Sequence, residues 1–230
     1  MPPKPKNTRE EIAAAAFEII KQEGLSALTA RRVGKSLDSS ASSIFTVLPS
    51  MEAVKMAARE LALAEFKEYI SDYREYTPAF KHIGIMIVSY GIHEPELFKL
   101  LFMQEHPSEI GFAESLKDLG DIPEVCRKLI QRDYGMTPEE AALMFEQLWI
   151  QAYGLGSMCA MRVIRLSDEE ISKRLSVIFA GLVMLIKSGK VNEIYMDVEK
   201  KADGTFHGKK LCDIPFVPEQ HSSNPECGKG

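Results

Sequence analysis

The chain has no apolar run long enough to cross a bilayer. Its longest, near Ile83 to Val88 and Val177 to Ile186, fall well short of the roughly 20 residues that a spanning helix needs, so no membrane role is expected. The opening MPPKPK has no apolar region behind it, so no secretory signal is expected. Cysteine is sparse: four in 230 residues, scattered without framework spacing. That points to a reducing, cytoplasmic setting rather than a disulfide scaffold. Catalytic signatures are missing as well. There is no phosphate-cradling Gly-rich loop, no Gly-x-Ser-x-Gly and no His-Glu-x-x-His, the patterns that fix a phosphate nest, a nucleophile or a zinc ion on its element. No enzyme, cofactor or metal is expected. No stretch alternates at period two over a useful length, so strands are not expected, and no internal repeat is visible.

What remains is an ordinary composition, 45% hydrophobic and 27% charged, in a chain long enough for one large or two modest domains with a real core. A net charge of −5 argues against a protein that coats nucleic acid. The charge is uneven, however. Residues 1–60 hold nine basic and seven acidic residues, a local +2, which leaves −7 to the remainder. A slightly basic head on an acidic body suits a protein that touches DNA at one end.

Start and stop signals divide the chain into about nine helices. Thr8-x-x-Glu11 is a capping box, and Gly24 stops the helix it starts. The stripe Ile12, Ala15, Ala16, Ile19, Ile20 follows helical spacing. Ser50 opens a longer helix expected to run to about Tyr76, with Val54, Ala57, Ala58, Leu61, Ala64 and Phe66 inward. Thr77-Pro78, Pro95, Ile122-Pro123, Thr137-x-x-Glu140 and Ser167-x-x-Glu170 mark further starts, and Gly120, Gly135 and Gly189 mark stops.

The chain is organised around residues 28–53, LTARRVGKSLDSSASSIFTVLPSMEA. Thr29 can cap a short helix with Val33 and Leu37 inward and Arg31, Arg32 and Lys35 near its exposed side. Asp38-Ser39 breaks it. Ser40 can cap a second helix, SASSIFTV, with Ile44 and Phe45 turned inward, and Pro49-Ser50 ends it. Two short helices with this turn make a helix-turn-helix, whose second helix enters the major groove while the first crosses the phosphates. The second helix holds no Arg, Lys, Asn or Gln, which leaves hydroxyls, methyls and DNA shape for readout.

As an ordered set, Thr8-Arg9-Glu10-Glu11-Ile12, Phe17, Ile20, Glu23-Gly24-Leu25, Leu28-Thr29, the Ser40 cap, Ile44-Phe45 and Pro49-Ser50-Met51-Glu52 resemble the DNA-binding head of TetR/AcrR transcriptional regulators, over about Thr8 to Leu61. The resemblance departs at Asp38, where Gly is usual, and at Met51, where a phosphate-touching Lys is common. It implies an all-α fold: an N-terminal three-helix helix-turn-helix DNA-binding domain plus a larger helical ligand-binding and dimerisation domain. The expected division is a basic arm at 1–7, the head at 8–53, an effector-binding and dimerisation body at 54–195 and a flexible tail at 196–230. The expected DNA-contacting set is Ser42, Ser43 and Thr46 at base edges or phosphates and Thr29, Arg31, Arg32, Lys35 and Ser50 on the backbone, together with the cap residue Ser40.

In the body, large adaptable side chains could line a partly apolar pocket: Met86, Tyr90, His93, Phe102, Phe145, Trp149 and Tyr153. The resemblance implies an effector there, and the composition suggests a small hydrophobic or aromatic one. Each residue taken singly also suits plain core. On the last long helix, Ile171, Leu175, Ile178, Leu182 and Leu185 form an a/d seam. The helix before it carries the small residues Gly154, Gly156, Ser157 and Ala160. Together these could build a homodimer interface, or an intramolecular core. Cys126 and Cys159 read as buried thiols. The tail residues His207, Cys212, His221 and Cys227 have no zinc-knuckle spacing. The reading is a ligand-responsive, homodimeric regulator released from a palindromic double-stranded operator by its effector. The alternative is the same fold with weakened DNA binding, acting as a small-molecule or protein-binding module.

Overall fold

The computed structural model describes residues 7–105, 108–189, 199–200 and 206–207. Ten α-helices run through them: α1 Arg9–Glu23, α2 Ala30–Ser36, α3 Ala41–Phe45, α4 Met51–Tyr69, α5 Ala79–His93, α6 Pro95–Phe102, α7 Phe112–Ser115, α8 Ile122–Tyr134, α9 Pro138–Ala160 and α10 Asp168–Lys187. Short 3-10 turns follow α1, α4 and α7. Contacts within the chain divide it into two units, residues 1–183 and 184–230. No helix among the described residues is long and apolar enough to cross a membrane.

The local signals act where they stand. Thr8 accepts from the Glu11 amide at 3.2 Å while Glu11 accepts from the Thr8 amide at 2.8 Å. The same reciprocal box forms at Thr137–Glu140 and Ser167–Glu170. Each satisfies amides that a helix start leaves free. Gly24 ends α1 at φ 85, and Gly135 ends α8 in the left-handed region at φ 63.

In the first unit α1 packs along α4, and α5 packs along α9. On α4 the buried residues Val54, Ala58, Ala62 and Phe66 form one i±4 ridge, joined by Ala57. Leu61 and Ala64, expected inward, lie off this ridge and are exposed. The helix also ends at Tyr69, before the expected Tyr76, and passes into a 3-10 turn over Ser71–Glu75. The α5–α9 crossing is a backbone contact. A Cβ added to Gly91 would lie 2.6 Å from the Gly156 carbonyl oxygen. Gly156 therefore serves this internal crossing, where the small-residue run had also suited a contact between subunits. Ile171 and Leu175 of the expected seam are likewise buried in the chain's own core. An a/d repeat records only that one helix face is covered, and here its first part is covered from within.

The second unit holds the end of α10, Gly189 at φ 70, and a two-residue antiparallel ladder between β1 Glu199–Lys200 and β2 Phe206–His207. This ladder is the one strand pairing among the described residues, where no strand was expected. His207 belongs to it. Cys212, His221 and Cys227, and most of the tail expected to be flexible, lie outside the described residues.

Candidate nucleic-acid interface and effector cavity

The helix-turn-helix is built around one close approach. Gly34 of α2 is buried, and a Cβ there would meet the Ser39 carbonyl oxygen at 2.9 Å and the Ala41 amide nitrogen at 3.2 Å. Only hydrogen fits between α2 and the turn into α3. Asp38 takes φ 47 to make that turn, the left-handed conformation that Asp tolerates better than most residues. Thr29, Ser40 and Ser50 cap α2, α3 and α4, accepting from Arg32, Ser43 and Ala53 amides at 3.1–3.2 Å.

These caps and neighbouring bonds occupy several side chains that had been expected to face DNA. Ser43 Oγ donates to the Ser40 carbonyl at 2.7 Å and lies 2.5 Å from Ser39 Oγ. Thr46 donates to the Ser43 carbonyl at 2.6 Å, and Ser42 pairs with Ser40 at 2.9 Å. Arg32 forks onto Glu23, with Nη2 and Nε at 2.5 and 3.2 Å from one carboxylate oxygen. That bond holds the Glu23 carboxyl below its ordinary value. Arg31 and Lys35 are exposed. Ile44 is buried, but Phe45, expected inward, is 41% exposed, because α3 is only five residues long and presents one face to the core.

The head is tied to the body through α6 as well as α4. Lys21, on the last turn of α1, meets Glu65 of α4 at 3.0 Å and Glu94 beside α6 at 3.3 Å. Burial opposes its charge, yet the two carboxylates outweigh it and hold the ammonium above the ordinary lysine value. A Cβ on Gly24 would lie 2.9 Å from the Glu96 carboxylate of α6. The other end of α6 forms a cavity wall.

Two cavities of the body take in side chains expected at a pocket. The first, among α5, α8, α9 and α10, is an apolar slot of about 30 Å³ that includes Ile87, Cys126, Phe145, Trp149 and Leu175. It has room for about one water molecule. The second, of about 440 Å³, is bounded by Arg59 of α4, Leu101 and Phe102 of α6, and Trp149 and Tyr153 of α9, with Leu116 and Leu119 across from them. Its size lies in the range of small-molecule sites, so the second is the better effector candidate.

Of the seven side chains expected at a pocket, Phe102, Trp149 and Tyr153 line the larger cavity, and Phe145 and Trp149 line the slot. Met86, Tyr90 and His93 line neither. Tyr90 is fully buried against Phe66 and Tyr69, with ring centroids 5.0 and 5.1 Å away. Its hydroxyl has no hydrogen-bond partner, and burial pushes its pKa up. His93 is exposed and pairs through Nδ1 with the Tyr69 hydroxyl at 3.0 Å. Arg59 and Gln104 are cavity residues that pattern reading passed over. Arg59 sits at an intermediate position on α4 with no motif around it, so no signal marked it. On α10, Ile178 is 38% exposed and Val177 65%, while Leu182 and Leu185 are half-buried. Among the described residues no group of three or more His, Cys, Asp or Glu could hold a metal.

No protein-family model matches the chain, and no curated protein sequence does. Solved structures do. A protein of unknown function from Rhodococcus sp. RHA1 is 14% identical with a TM-score of 0.59, over 80% of this chain and 97% of that one. A TetR-like transcriptional regulator from the same organism is 15% identical with a TM-score of 0.53, over 79% and 97%. Another Rhodococcus transcriptional regulator is 15% identical with a TM-score of 0.51, over 80% and 97%. The all-helical fold of this chain is thus the fold of TetR-like transcriptional regulators, as the head motif implied.

Proposed function

We infer that the chain is a TetR-family transcriptional regulator that binds a two-fold DNA operator as a homodimer and leaves it when a small, largely apolar effector enters the body. The observation that carries this reading is the head: α2 and α3 locked at Gly34, with Arg31 and Lys35 exposed beside them. In a two-fold dimer the two α3 helices must sit about one helical turn apart, roughly 34–36 Å, to enter successive major grooves. Support for a homodimer comes from the groove lined by Gln151 and Leu155 of α9 and Arg174, Val177 and Ile178 of α10. Such a dimer would work in the cytoplasm. Coupling would pass along α6 and α4, since both border the 440 Å³ cavity and both meet α1. An effector that binds better to a differently spaced dimer shifts the population away from DNA.

The test is selection from random duplex DNA at low salt with the purified chain, followed by sequencing. An enriched palindrome supports the reading and measures the half-site spacing. Arg31→Ala should then weaken binding on all sequences and reduce the slope of log K against log[salt] by about 1. An unchanged slope would remove Arg31 from the interface.

One set of observations favours a second reading, in which the fold binds a small molecule or protein with little sequence-specific DNA recognition. The α3 hydroxyls are engaged within the head, Arg32 is tied to Glu23, and Met51 stands where a phosphate-binding Lys is common. That reading expects no enriched sequence from a folded dimer.

A further inference from the structure

The larger cavity is unusual in where its polar groups point. Three side chains from three segments converge on the last turn of α6. Arg59 Nη2 donates to the Leu101 carbonyl at 3.2 Å, the Tyr153 hydroxyl to the Phe102 carbonyl at 3.0 Å, and Gln104 Nε2 to the Lys99 carbonyl at 2.8 Å. The Leu101 and Phe102 carbonyls are ones that a helix end leaves without an internal partner, while the Lys99 carbonyl also accepts from the Met103 amide at 3.0 Å. All three donor residues also line the cavity, whose remaining wall is mostly apolar. A molecule entering it meets apolar surface on most sides and a cluster of N–H and O–H donors on one.

We propose that this cavity takes an amphipathic ligand whose head is an oxygen acceptor, a carboxylate or carbonyl, and whose body is apolar, and that the ligand head competes with the end of α6 for Arg59 and Tyr153. The proposal rests on the effector reading above and names its ligand class. The donor set selects the head: Arg carries donors only, and a hydroxyl already donating can redirect its proton to a better acceptor. A carboxylate gains more from the guanidinium than a neutral carbonyl does, because the bond is charge-assisted. A cationic amine head has no partner of this kind and places like charge beside Arg59. Regulation follows from position. Releasing the C-terminal carbonyls of α6 loosens the helix whose other end, at Glu94 and Glu96, abuts Lys21 and Gly24 of the head.

Trp149 is the chain's one tryptophan and lines the cavity, so its fluorescence reports occupancy. The full chain is titrated with decanoic acid, 2-undecanone and decylamine. The expected result is saturable change with the acid and the ketone, the acid the tighter, and binding of the amine weaker than that of the acid by about tenfold or more. Tyr153→Phe keeps the ring and removes the donor. It should weaken the acid and the ketone about fivefold to tenfold and leave the amine unchanged. Arg59→Gln should abolish the preference for acid over ketone. Equal affinity for amine and acid would overturn the proposal. So would an unchanged acid-to-amine ratio in Tyr153→Phe, or no binding of either oxygen-headed compound. Failure of the regulator reading shows separately, as a DNA selection without enrichment from protein that still binds the acid.

Discussion

The α5–α9 crossing allows one substitution to be predicted with opposite sign at two places. Gly91→Ala puts a methyl 2.6 Å from the Gly156 carbonyl oxygen and 3.1 Å from its Cα. Both are backbone atoms of a packed helix, so neither can swing aside. Relief needs the helices to part by about 0.5 Å, a gap that already forfeits about a quarter of each dispersion contact along the seam. Overpacking of this kind costs about 3 kcal/mol at its upper end. Replacing glycine by alanine in a helix returns about 1 kcal/mol. The net loss is about 2 kcal/mol, or a Tm lower by about 4–8 °C for a chain of this size. Gly154, two residues before Gly156 on α9, has nothing within 4 Å of its added Cβ. Gly154→Ala should therefore show only the helix-propensity gain of about 1 kcal/mol, raising Tm by about 2–4 °C. Calorimetry or circular-dichroism melts of the two variants beside the parent decide it. If Gly91→Ala proves as harmless as Gly154→Ala, the backbone contact that sets the α5–α9 distance is not there.

Tyr90→Phe removes a fully buried hydroxyl that has no partner, and should stabilise the protein by about 1 kcal/mol in urea unfolding; a loss of that size would reveal a hydrogen bond at this position. Cys126 is buried, and burial pushes its thiol up to about 12. Iodoacetamide at about pH 8 should therefore leave the Cys126 peptide unmodified until denaturant is added, and labelling of the native protein within minutes would contradict the burial. On the acid side, hydrogen bonds hold Glu23, Asp121 and Glu124 low through Arg32, Lys67 and Arg127, and Glu170 low through Ser167. Their folded pKa values lie below the unfolded ones. Their contribution is thus complete above the ordinary carboxylate range and disappears as pH falls through the lowered values. The urea midpoint should drop steadily from about pH 5 downward, and a flat profile there would argue against these bonds.

The comparison of sequence with structure turns on the range over which each signal acts. The Thr8–Glu11, Thr137–Glu140 and Ser167–Glu170 boxes, the stops at Gly24 and Gly135 and the turn at Asp38 were all legible, and so were the helices they bound. Each depends on hydrogen bonds or backbone angles within about four residues, which neighbouring side chains decide. The helix-turn-helix was legible for the same reason, since its geometry is set between Thr29 and Ser50. Assigning helix faces was less secure. Leu61 and Phe45 satisfied the apolar pattern yet stand exposed, while the ridge through Val54, Ala58, Ala62 and Phe66 took the core.

The sequence by itself determined that this chain is helical, where most of its helices begin and end, and that a capped helix-turn-helix lies near its start. Only the tertiary structure decided what each apolar face meets. Gly156 could have faced a second subunit but is filled by Gly91 and Phe98 of the same chain. Ile171 and Leu175 suited a dimer seam or a core and are buried in the chain's own core; Tyr90 and His93 suited a pocket and line neither the slot nor the 440 Å³ cavity. Arg59, Gln104 and Tyr153 carry no common motif, yet they meet at the end of α6. Caps and periods are encoded in bonds a few residues long. A cavity is the space left when helices far apart in the chain have packed, and no short stretch of sequence specifies it.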